Sequence, residues 1–207
     1  MFKHATCLLA TGTLFLAACG ETVTAPDPQL DDADVAFLTE LSDADLASML
    51  NDFLGTSTDG PSSAAAQSDP RVTTRSWEKS RDCPAGGTVA VAGSSTRTWD
   101  REAKTYDIAS SGTKTRTNCA RARGETTITL NGSSAWTHER HYAARAPVGN
   151  WITAWAGSFD WAKSTGKSGT CAISLTRTVD TAANTVALVG TFCGRDVDRS
   201  RTWKKSR

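Results

Sequence analysis

From Arg71 onward the chain alternates its side chains with period two, and that pattern excludes most architectures other than an antiparallel sheet. Thr and Ser dominate this stretch, helix formers are scarce, and turn signals interrupt the runs at short intervals. The alternation predicts strands near 71–82, 88–101, 104–119, 125–130, 133–144, 150–163, 170–179, 185–193 and 196–206. Turns are expected at Gly86-Gly87, 101–104, Asn131-Gly132, 147–150, 166–169 and 180–184. Asn131-Gly132 is the strongest of these signals, because both central residues of a type I′ hairpin need positive φ. Connections this short join antiparallel neighbours, since a parallel crossover needs about a dozen residues. The expected fold is all-β: an antiparallel meander of about eight or nine strands, closed as a barrel or left as a half-barrel or curved sheet. SWEKSR at 76–81 and TWKKSR at 202–207 nearly match, which suggests that the first and last strands are related or adjacent.

The cysteines support this reading. Cys83, Cys119, Cys171 and Cys193 lie within the alternating region, an even number that suits two disulfides in an oxidising compartment, with three possible connectivities. Register narrows them. A symmetric turn at 180–184 sets Cys171 opposite Cys193, Ile173 opposite Thr191 and Leu175 opposite Val189. A tight turn at 101–104 sets Trp99 opposite Tyr106 and brings Cys119 within one strand end of Cys83. The expected bridges are Cys83–Cys119 and Cys171–Cys193. No Cys-x-x-Cys occurs, which argues against a zinc ribbon or a thioredoxin-type centre.

Charge divides the chain in two. Residues 20–69 carry eleven acidic residues and neither Lys nor Arg, whereas residues 70–207 carry 22 basic and 11 acidic ones. Such asymmetry calls for mutual docking or for an anionic partner of the basic part. Within the acidic part, residues 30–54 have a helical pattern. Ser42 is placed as an N-cap, and Leu46, Met49, Leu50, Phe53 and Leu54 fall on one face. This acidic amphipathic segment, one bent helix or two short ones, is expected to dock on the β domain through that face. Residues 55–70, rich in Gly, Ser, Ala and Pro, make a flexible linker to a β domain at 71–207.

Upstream, Lys3 precedes an apolar run over residues 7–18 that is too short to span a bilayer. It ends in Leu16-Ala17-Ala18-Cys19-Gly20. This resembles the lipobox of bacterial lipoproteins. The resemblance implies a signal peptide at 1–18, a diacylglyceryl group on the Cys19 thiol, and a lipidated tether at 19–29. With Gly20 rather than Asp after the cysteine, it implies lipid anchoring at the outer membrane of the cell envelope. A curved sheet with an added helix is also similar in architecture to lipoprotein carriers and lipocalins, which by itself fixes no function.

One surface pattern carries chemistry. Arg75, Trp77, Lys79 and Arg81 alternate, as do Arg97, Trp99 and Arg101; then Trp136, His138 and Arg140; then Arg201, Trp203, Lys205 and Arg207. Each set lies on one face of its strand. The bland account is that cationic stems cover Trp faces on a solvated sheet. The functional account is a basic, aromatic-studded face for an anionic polysaccharide, an amphiphile or an envelope protein. Trp151, Trp155, Phe159 and Trp161 share a face and are expected in the core. His138 and His141 are three apart and point to opposite faces of a strand, so no metal site is expected, and no cofactor or nucleic acid either. Two roles stay open: a non-enzymatic envelope lipoprotein that binds through the Trp/Arg face, or an envelope hydrolase using a carboxylate pair drawn from residues such as Glu125, Glu139 and Asp160. No nucleophile elbow or phosphate loop marks a catalytic centre.

Overall fold

The computed structural model describes residues 30–55 and 70–202, and within the helix the side chains of residue 47 and residues 49–55 are not described. A single helix, α1 (Asp32–Gly55), precedes eight strands: β1 (Arg71–Asp82), β2 (Thr88–Asp100), β3 (Thr105–Arg123), β4 (Thr126–Ala143), β5 (Ala146–Lys163), β6 (Ser168–Asp180), β7 (Thr185–Phe192) and β8 (Arg195–Thr202). They form one antiparallel sheet in the order β1-β2-β3-β4-β5-β6-β7-β8. The meander is open: β1 and β8 are its edges. Their alternating charges discourage edge-to-edge pairing with other chains. Among the described residues no helix is long and apolar enough to cross a membrane.

The bridges are Cys83–Cys119 and Cys171–Cys193, as register suggested. In the chain-entropy model, loops of these lengths contribute about 3–4 kcal/mol each. Trp99 does pair with Tyr106. The β6–β7 register, however, is one residue from the symmetric expectation: Ile173 pairs with Phe192 and Leu175 with Gly190. The turn holds four residues rather than five, because Asp180 stays in the ladder opposite Thr185 and its carboxylate accepts the N–H groups of Ala182 and Ala183.

Two turns move. Asn131-Gly132 is not a hairpin but lies inside β4, so the expected strands at 125–130 and 133–144 are one. Asn131 instead serves a β-bulge. The register of β3 against β4 shifts between Arg116 and Cys119, and the Asn118 N–H donates to Asn131 Oδ1 at 2.7 Å. The β3–β4 hairpin turns at Gly124 and Glu125, with φ of 59° at Gly124. Likewise residues 147–150 lie within β5, and the chain turns at Ala144 and Arg145, whose φ values of 49° and 67° match a type I′ turn without glycine.

Cross-strand pairing sorts the side chains into lateral rows. One row crosses every strand: Trp77, Gly93, Gly112, Trp136, Trp155, Leu175, Gly190, Val197. It is the middle of the core. Gly93 and Gly112 have no room for a side chain: a Cβ would lie 2.4 Å from the Ser111 carbonyl oxygen at Gly93 and 2.0 Å from that of Ala92 at Gly112, and at either position 2.8 Å from Trp136 Cζ2, whose indole covers the gap. That gap also lets Trp77, three strands away, reach Trp136 with ring centroids 5.6 Å apart. Trp155, Phe159 and Trp161 are buried on this face as expected, whereas Trp151, expected with them, is only half-buried and lies outside the core cluster. The opposite face is mostly Thr, Ser and Ala.

The helix and Leu30 just before it lie against the core face, adding Leu30, Val35, Leu38 and Leu46 to the apolar cluster; of the expected docking face only Leu46 is seen there, the side chains of Met49, Leu50, Phe53 and Leu54 lying outside the described residues. The helix is continuous. Ser42 is buried within it rather than capping it, and the N-terminus is capped by Asp31, whose Oδ1 accepts the Asp34 N–H at 2.8 Å. A flat eight-stranded sheet would hold its edges about 34 Å apart at ~4.8 Å per strand, against a helix only about 10–12 Å across. Yet Asp45 meets Arg81 on β1, and Asp43, two residues away, meets Arg201 on β8. The sheet therefore curls round the helix into a trough.

Candidate functional site

The register places every described member of the Arg/Trp rows that lies within a strand on the inner face of this trough. Arg75, Trp77 and Lys79 of β1, Arg97 and Trp99 of β2, Trp136 and Arg140 of β4 and Arg201 of β8 all share it, and Arg101 stands at the β2–β3 turn. Trp203 and Lys205 lie outside the described residues, as does Cys19. Trp136 is only 2% exposed and belongs to the core, so the accessible part of the face is set by its neighbours.

Toward the mouth of the trough away from the disulfides, four aromatic rings cross four consecutive strands. Trp99, Tyr106, Tyr142 and Trp151 stand in file with centroids 6.0, 5.8 and 5.6 Å apart. Arg140 lies over the Trp151 ring at 4.7 Å, and Arg97 is close enough to Tyr106 to oppose the upward pull of burial on its phenol pKa. All six residues are half-buried. Below them runs a polar row: Ser110 Oγ donates to Ser95 Oγ at 2.9 Å, and His138 Nδ1 is 2.7 Å from Thr153 Oγ1. Burial, with Arg140 and Arg177 nearby, holds the His138 imidazole down at about 3, so it is neutral at ordinary pH. His141 points to the other face and meets Asp107 at 2.8 Å.

Toward the disulfide end the face is filled by α1, and its acids are met one by one. Asp31 and Asp34 pair with Arg123 and Lys163, Asp32 with Arg195, Glu40 with Arg199, Asp43 with Arg177 and Arg201, and Asp45 with Arg81, Lys114 and Arg121. The helix is thus not apolar inside and acidic outside: Asp34 is as buried as its leucines. The Asp34 N–H, then Lys163, hold the Asp31 carboxyl down at about 2. Lys114, Arg116, Arg121, Arg123, Lys163, Arg177, Arg195 and Arg199 were absent from the Trp-based pattern because most have no Trp two residues away. The usable signal was the basic pair at spacing two, Lys114/Arg116 and Arg121/Arg123, whose parity switches at the Asn118 bulge.

Among the described residues the face offers cations and flat rings, and the three carboxylates weighed as a catalytic pair are not gathered in a shielded pocket. Glu125, Glu139 and Asp160 are all exposed, and Asp160 accepts from Thr170 Oγ1 at 2.8 Å on the outer face. Among the described residues no group of three His, Cys, Asp or Glu side chains is placed to hold a metal. Comparison with protein-family models, with curated proteins and with solved structures finds no match.

Proposed function

We propose that this chain is a non-enzymatic lipoprotein of the cell envelope, anchored at the outer membrane through Cys19, that binds an anionic polysaccharide on the aromatic mouth of its trough. The observation that carries the reading is the file Trp99, Tyr106, Tyr142, Trp151 with Arg97 and Arg140 beside it. Aromatic rings offer apolar faces to sugar rings, and guanidinium groups pair with carboxylate or sulfate. The exposed positions of Glu125, Glu139 and Asp160 support binding over hydrolysis, which needs two carboxyl groups flanking one bond.

Binding is tested with alginate as the acidic polymer and dextran as the neutral control. The protein should retain alginate at low salt, release it at high salt and ignore dextran. Arg97→Gln with Arg140→Gln should weaken retention at least about tenfold, the loss of about 1.4 kcal/mol. Equal retention by the variant, or none by the wild type, removes the proposal. Anchoring is tested by metabolic labelling with a fatty-acid analogue, which should mark the wild type and not Cys19→Ala.

A further inference from the structure

Charge is not balanced where α1 crosses β1 and β3. Asp45 is met by Arg81 Nη2 at 2.5 Å, Arg121 Nη2 at 2.9 Å and Lys114 Nζ at 3.5 Å. Arg116, two residues from Lys114 on the same face, also feels the Asp45 charge and the repulsion of Arg121. Its side chain rests on the Phe159 ring at 5.3 Å, and its Nη1 is buried with no hydrogen-bond partner. Arg116 is 4% exposed and Lys114 3% exposed, so solvent does little to offset their charges. Among the described residues, four basic side chains therefore surround one carboxylate. Elsewhere along the described helix the surplus is smaller: Asp31 and Asp34 face Arg123 and Lys163, Asp32 faces Arg195, Glu40 faces Arg199, and Asp43 faces Arg177 and Arg201. A buried surplus of positive charge is costly unless an anion completes it.

We propose that Arg81, Lys114, Arg116 and Arg121 form an oxyanion site for a phosphate dianion, free or as a terminal phosphomonoester, in which the Asp45 carboxylate is the resident stand-in. A tetrahedral dianion brings more charge and more acceptor oxygens than one carboxylate, and arginine forks suit it. Phosphate and α1 then compete for the same cations, so occupancy of the site loosens the helix from the trough. The inference rests on the reading of this face as an anion binder, but it uses a different end of the face from the polysaccharide contact.

The test is calorimetric titration of the full chain carrying Cys19→Ser, with inorganic phosphate, glycerol phosphate and acetate at matched ionic strength. Asp45→Asn keeps the shape and removes the competitor, so it should bind inorganic phosphate and glycerol phosphate at least about tenfold more tightly than the parent, a gain of about 1.4 kcal/mol. Acetate should bind at least tenfold more weakly than phosphate. Adding Arg116→Gln to Asp45→Asn should abolish the gain, while Arg97→Gln with Arg140→Gln should leave it intact. Circular dichroism of each variant confirms the fold. Equal phosphate binding by the parent and Asp45→Asn overturns the proposal, as does persistence of the gain in Asp45→Asn/Arg116→Gln. Tighter binding of phosphate without glycerol phosphate restricts the site to the free ion and overturns the monoester part. Arg97 and Arg140 lie at the other end of the face from Arg81, Lys114, Arg116 and Arg121, so the two readings fail separately. Absence of alginate binding by the wild type with the Asp45→Asn gain in phosphate binding intact removes only the polysaccharide contact, and alginate binding without that gain removes only the phosphate site.

Discussion

Two buried residues dominate the pH behaviour of the trough. His138 titrates near 6.5 when unfolded but is held at about 3 by burial in the fold. Between those values the unfolded chain takes a proton that the folded chain refuses. The stability linked to His138 is therefore complete above about pH 6.5 and is lost as pH falls, at a limiting ~1.4 kcal/mol per pH unit. The urea midpoint should drop between pH 7 and pH 5, and His138→Gln should show a smaller drop. Asp31, at about 2, loses its contribution at lower pH and does not disturb that window. Lys114 runs differently. Burial, then Arg116, pushes its ammonium down to about 7 from 10.5, so below about 7 the fold bears the full cost of the buried charge. Asp45 keeps Arg81 and Arg121 when Lys114 is removed. Lys114→Met should therefore stabilise the protein by about 1–3 kcal/mol at neutral pH in urea unfolding. If it destabilises, the ammonium is a net structural asset and not a group retained for an anion.

At the scale of elements, the helix is bound by apolar packing as well as by charge. Leu38 is 1% exposed in the shared core, and Leu38→Ala should cost about 2–5 kcal/mol. A loss below about 1 kcal/mol would mean that helix and sheet do not share a core. The strands themselves were largely legible from alternation, and both bridges were anticipated, Cys83–Cys119 from register and Cys171–Cys193 from a register one residue off. What misled was that turn residues have more than one use. Asn131-Gly132 carries the composition of a hairpin, but its amide oxygen satisfies the Asn118 N–H at a bulge. Ala144 and Arg145 turn the chain with no sequence signal, because the long ladders on either side impose positive φ on residues that rarely adopt it. The rows of Arg and Trp were legible as faces. Their burial was not, since it depends on the curl of the sheet and on where α1 lies.

For the molecule as a whole, the acidic and basic parts of the sequence find each other within one chain. This was legible as a possibility in the charge asymmetry, but only the trough shows that the basic face is partly filled by the chain's own acids. Exposed pairs such as Glu40–Arg199 are screened by salt, while the buried Asp34 cluster is screened much less. Raising salt from about 0.1 M to about 1 M shortens the Debye length from ~10 Å to ~3 Å. Amide exchange in α1 should accelerate over that range while exchange in β3, β4 and β5 stays constant. Parallel acceleration of both would mean that helix and sheet open as one unit.

The strand order also has a meaning in time. Each strand pairs with the one made just before it, so a chain produced from its N terminus can zip hairpin by hairpin. α1 is made before every described strand, yet Glu40 and Asp43 wait for Arg199 and Arg201, 159 and 158 residues downstream. During refolding, burial of Trp136 and Trp155 should lead and the helical signal should lag; the opposite order would contradict this sequence of events. The first of the described elements thus becomes the last to settle, and its arrival marks the moment at which β8 is in place.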